Sequence, residues 1–107
     1  MKDINEILDA IKDKSIEELK SEFKGLLKEA SGDSLDFVKK SAASTVRWLS
    51  LKAEGQLSEE EVKSLLEAKK KEALVFMNTQ SIVARARIQK LVCRLLDIAV
   101  NSLLSAL

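Results

Sequence analysis

Apolar residues recur along this chain at steps of three and four, in stretches separated by turn and capping residues. Ile4, Ile7, Leu8 and Ile11 form the first such line, preceded by Asp3 and Glu6 in the spacing of a capping box. Ile16, Leu19, Phe23, Leu26, Leu27 and Ala30 form the second, and Ser15 with Glu18 repeats the box spacing. A short interruption near Lys14 is therefore expected between two helices. Residues 31–34, SGDS, read as a loop: Gly32 is placed to close the helix in a left-handed conformation, and Asp33 or Ser34 to cap the next. A third helix follows to about Ala53, with Leu35, Val38, Ala42, Val46 and Leu49 inward, and Gly55 ends it.

LSEEEV, from Leu57 to Val62, is the strongest local signal. Ser58 caps, Glu61 reaches back, and Leu57 staples onto Val62. From Ser58 to Leu107 there is no glycine and no proline. One helix over that span would run about 75 Å, whereas a compact domain of this size has a radius of gyration near ~13 Å. The apolar phase also conflicts. Val62, Leu65, Leu66, Ala73, Phe76 and Met77 mark the inner face of the first half. The polar stripe of the second half is Arg87, Lys90, Arg94, Asp97, Asn101 and Ser105. Phe76 and Arg94 are about five helical turns apart, so on a straight helix the inner line of one half becomes the outer line of the other. A break or kink is expected within residues 78–81, where Thr79 or Ser81 can cap a new start.

The last helix is apolar around most of its girth. A helix of that kind belongs inside other helices, and the remaining stripes look thin for the task. Helix three, for instance, offers the small residues SAAST from Ser41 to Thr45. Self-association is the expected remedy, with Ile88, Leu91, Leu95, Ile98 and Leu103 at the contact between copies. The alternative is that the chain's own helices cover it.

Composition agrees with this reading. The chain has 107 residues, 46% hydrophobic and 33% charged, with no proline and three glycines. Those figures fit one all-α domain over residues 1–107: a small antiparallel bundle of four to five helices, with the C-terminal helix as its central or oligomerising element. The net charge of +1 gives no field that selects nucleic acid or acidic lipid. A single cysteine, Cys93, excludes an internal disulfide framework and suits a reducing, cytoplasmic setting. The N-terminal residues lack the layout of a secretory signal.

Candidate chemistry is sparse. There is no histidine and no tyrosine, which removes the commonest general base. Cys93 reads as a small buried hydrophobe rather than a nucleophile. Glu59, Glu60, Glu61 and Glu67 lack the Glu-x-x-His pattern of carboxylate-bridged bundles. No catalytic residue, metal ligand or cofactor is assigned. The leading expectation is a non-enzymatic structural or adaptor protein that binds itself and a larger protein. The first alternative is a nucleic-acid accessory protein contacting phosphate through Arg85, Arg87, Lys90 and Arg94, a window with no acid. The second is a membrane-surface protein bound through the C-terminal helix. Neither nucleic acid nor membrane is an expected partner.

Overall fold

The computed structural model describes residues 3–107, and among them there is no strand. Five helices form: α1 (Ile4–Asp9), α2 (Glu17–Ser31), α3 (Asp36–Ala53), α4 (Glu59–Met77), and α5, a continuous rod over residues 82–106. The molecule measures 39 × 25 × 24 Å, with a radius of gyration of 13.3 Å.

Local chemistry sets most of the boundaries. The Asp3 carboxylate accepts the Asn5 amide at 2.7 Å and opens α1. The interruption after α1 is real, but its cap is Asp13 rather than Ser15. Asp13 accepts both the Ser15 amide (2.9 Å) and the Ser15 hydroxyl (2.6 Å), and a 3-10 turn, Lys14–Ile16, leads into α2. The Ser15 hydroxyl is drawn back onto the Asp13 carboxylate, a strong charged acceptor, so it does not cap α2, whose first turn carries no side-chain cap. At the end of α2, Gly32 is not left-handed (φ −94), and the chain turns without that device. Asp33 accepts the Leu35 amide at 2.8 Å and so organises the loop before α3. Gly55 does take positive φ, +77, between α3 and α4. Ser58 and Glu61 form both bonds of the capping box on α4.

The chain breaks between Met77 and Ile82, and the Ser81 hydroxyl accepts the Ala84 amide at 3.2 Å to start α5. The break folds the rod back, so that the inner faces of α4 and α5 meet and the phase conflict disappears. Cross-links give the directions. Asp33, Glu29 and Glu22 of the α2 side pair with Arg87, Lys90 and Arg94 in reversed order. Lys70 pairs with Asp97, and Phe37 stacks on Phe76 with centroids 4.2 Å apart. Helices α2 to α5 therefore run up, down, up, down, and α1 lies against α3. Lys20, 6% exposed, ties α1 down. Its ammonium donates to the Leu8 and Ile11 carbonyls, at 3.3 and 3.0 Å, and pairs with Glu17 at 2.9 Å. It thereby satisfies carbonyls that a short helix leaves open at its C-terminal end.

The core runs the length of the bundle through Leu8, Phe23, Leu49, Leu66, Ile88, Leu95, Leu96, Ile98, Leu103 and Leu104, all at most 2% exposed. Helix α5 occupies its centre, touching α2, α3 and α4. Two stretches of it, Gln89–Cys93 and Ala99–Leu103, are π-helical: the Arg94 amide reaches back to the Gln89 carbonyl and the Leu104 amide to the Ala99 carbonyl. A π turn holds more residues than an α turn. It lets Leu91, Val92 and Cys93, three in succession, all be buried. That is how a helix with three neighbours presents apolar groups in three directions.

Candidate functional site

The five residues expected at a contact between copies lie inside one copy. Ile88, Leu91, Leu95, Ile98 and Leu103 are 0–4% exposed. Each covering stripe is thin by itself, but together they suffice. Small residues on α3 (Ser41, Ala42, Thr45) bring that helix close, and Phe23, Leu26 and Leu27 of α2 close the other side. The same side chains are the ones a surface-lying C-terminal helix would present, and they are buried here. Among the described residues, no helix is long and apolar enough to cross a membrane.

The basic window is also largely occupied. Arg87 donates to both oxygens of Asp33 and to the Ser34 hydroxyl, Arg94 forks onto Glu22 at 2.7 and 2.9 Å, and Lys90 lies 3.4 Å from Glu29. The Arg94 hydrogen bond holds the Glu22 carboxyl below its usual range. Burial pushes the Asp33 carboxyl upward, but the bonds from Arg87 and the Leu35 amide outweigh it, and its pKa is lowered. These cations lace α5 to α2, which leaves Arg85 as the one member of the set without a partner among the described residues.

What remains open is the end of the molecule where α4 turns into α5. Four large aliphatic side chains are exposed there: Leu74 (47%), Val75 (68%), Ile82 (77%) and Val83 (69%). They flank the polar turn of residues 78–81, which is held by its own hydrogen bonds: Thr79 donates to the Phe76 carbonyl at 2.8 Å, and Gln80 donates to Thr79 at 2.9 Å. Beneath it, the Phe37–Phe76 stack, with the Lys69 ammonium 5.9 Å from the Phe37 ring centre, anchors α4 to the start of α3. The tip is thus an exposed apolar end held from below by that stack. Lys71 and Arg85 are exposed beside it and have no ion-pair partner among the described residues, while Lys69 and Lys70 are engaged by Glu72 and Asp97.

The tip was missed in the sequence, although a signal existed. Leu74 and Val75 fall outside the inner line of α4 drawn through Val62, Leu66 and Ala73, and aliphatics off that line have no place in the core. Ile82 and Val83 belong to the apolar girth of the last helix, but they precede Ile88, its first buried residue.

The Cys93 thiol is 1% exposed and its pKa is pushed up by burial, against the lowering effect of Lys70. Among the described residues, no three His, Cys, Asp or Glu side chains come together as a metal would need. The fold and site define a small antiparallel helical bundle with an exposed, cation-flanked apolar end. Comparisons with protein families, with curated proteins and with solved structures return no match to this chain.

Proposed function

We propose that this chain is a non-enzymatic structural or adaptor protein that works by helix-mediated association with its own kind, and that the contact is made by the α4–α5 tip rather than by the middle of α5. The observation carrying this reading is the exposure of Leu74, Val75, Ile82 and Val83 together around one turn. Fully burying one such side chain is worth about 1.5–3 kcal/mol, so at these exposures the four retain roughly 4–8 kcal/mol of unused burial. Association costs at least about 4 kcal/mol in lost freedom. The balance supports a weak, concentration-dependent contact. A buried, unpaired Cys93 suits a cytoplasmic setting.

Light scattering over a dilution series tests it. The wild type gains mass above the monomer at high concentration. The variant carrying Ile82→Asp and Val83→Asp stays monomeric with its thermal stability intact, since both positions face solvent. A wild type that remains a monomer at the highest soluble concentration removes the proposal.

A further inference from the structure

The opposite end of the bundle holds a cleft lined by Glu6, Ile7, Ala10, Ile11 and Ala53, together with the last two residues of α5 and the chain. It lies where α3 ends and α4 begins, a full helix length from the tip. Its walls mix apolar and polar surface, and Ala10 and Ala53 are exposed along it. Among the described residues Glu6 is the one ionisable side chain in its lining, Lys52 is spent on the Leu107 carbonyl at 2.7 Å, and Glu59 and Glu60, in the first turn of α4, are exposed at the same end. The tip differs from it: exposed, aliphatic, and flanked by Lys71 and Arg85, which have no ion-pair partner among the described residues.

We infer that the occupant of the cleft is the α4–α5 tip of a second copy, so that copies join head to tail. This rests on the tip being a contact surface, as proposed above, and adds what it contacts. A symmetric tip-to-tip contact would set Lys71 and Arg85 against the same residues of the other copy. Glu72, next to Lys71, is already paired with Lys69 at 3.1 Å, and between Ala73 and Leu96 no acidic residue accompanies Arg85. Like charges across a contact oppose it. Tip into cleft instead pairs Arg85 and Lys71 with Glu6, Glu59 and Glu60, and places aliphatic groups between alanines. A contact of this kind uses different surfaces on its two sides, so it leaves a free tip and a free cleft and builds chains or a closed ring.

Two blocked variants separate the possibilities. Ile82→Asp with Val83→Asp blocks the tip. Ala10→Arg with Ala53→Arg blocks the cleft; both alanines are exposed at helix C-terminal ends, where a cation is tolerated. Sedimentation velocity and light scattering are read on each alone and on an equimolar mixture. The wild type is expected to pass beyond the dimer as concentration rises, and to do so less at high salt. Each variant alone is expected to be monomeric, and the mixture to form a dimer and nothing larger, because only one good tip and one good cleft remain per pair. A cleft-blocked variant that associates like the wild type overturns the head-to-tail arrangement while leaving the tip as a contact. Loss of association in neither variant overturns both readings. Circular dichroism melts of the variants, unchanged from wild type, exclude misfolding as the cause.

Discussion

Replacing Leu95 by alanine asks whether one copy of this chain really encloses its own last helix. Leu95 is 1% exposed, and the turn it belongs to packs against both α2 and α4. Removing three buried carbons loses their transfer energy and leaves a cavity, and the measured range for such changes in well-packed cores is about 2.7–5 kcal/mol. The site cannot collapse freely. Arg94 is forked onto Glu22 of α2, and Asp97 is tied to Lys70 of α4, so both walls are pinned on either side of Leu95. A loss of about 3–4 kcal/mol is expected. At about 4 °C or more per kcal/mol for a domain of this size, the melting midpoint falls by at least about 12 °C. The decisive readout is urea unfolding at low and at high protein concentration. A residue buried within one copy gives the same loss at both, whereas one buried between copies gives a midpoint that moves with concentration. The control is Ile82→Ala, 77% exposed, which is expected to change stability by no more than about 0.5 kcal/mol. A Leu95→Ala loss below about 1 kcal/mol, or one that depends on concentration, refutes the enclosed core.

Three further outcomes follow from the geometry. Asp33→Asn keeps an acceptor for the Leu35 amide but removes the charge facing Arg87; because the folded pKa of Asp33 is lowered, its contribution is complete above an unfolded value of about 3.9 and is lost as pH falls through the folded value. The variant is thus expected to lose stability at neutral pH and to unfold less steeply with acid, as pH-dependent denaturation would show. Lys20→Met is expected to remove the ammonium donor from the Ile11 carbonyl, and from the Leu8 carbonyl, which keeps the Ile11 amide, and to cost about 1–3 kcal/mol, with hydrogen exchange accelerated first in residues 4–11. Cys93 is expected to resist a thiol reagent in native protein and to react on unfolding, since burial both shields the thiol and raises its pKa; rapid native labelling would contradict its placement.

Much of the fold follows from short-range chemistry, which is why it can be read along the chain. Ser58 and Glu61 are three residues apart, and a helix start is the conformation in which such a pair satisfies each other's backbone. The turn after Met77 was legible because two apolar faces of opposite phase cannot share one straight rod. Where local alternatives compete, sequence reading fails: Asp13 and Ser15 are both competent caps, and the choice of Asp13 came from geometry two residues long. Gly32 could have been left-handed and is not.

Helix content, capping and the break in residues 78–81 belong to the sequence by itself, because they depend on contacts within a few residues and on the period of 3.6. Which apolar groups are covered belongs to the tertiary structure. Burial is a property of all neighbours at once: three helices and two π turns enclose Leu91, Val92 and Leu95, while Ile82 and Val83, equally oily, stand two turns away in solvent. No count along one helix separates these two groups of residues, and so the contact surface became visible only when the helices were set around each other.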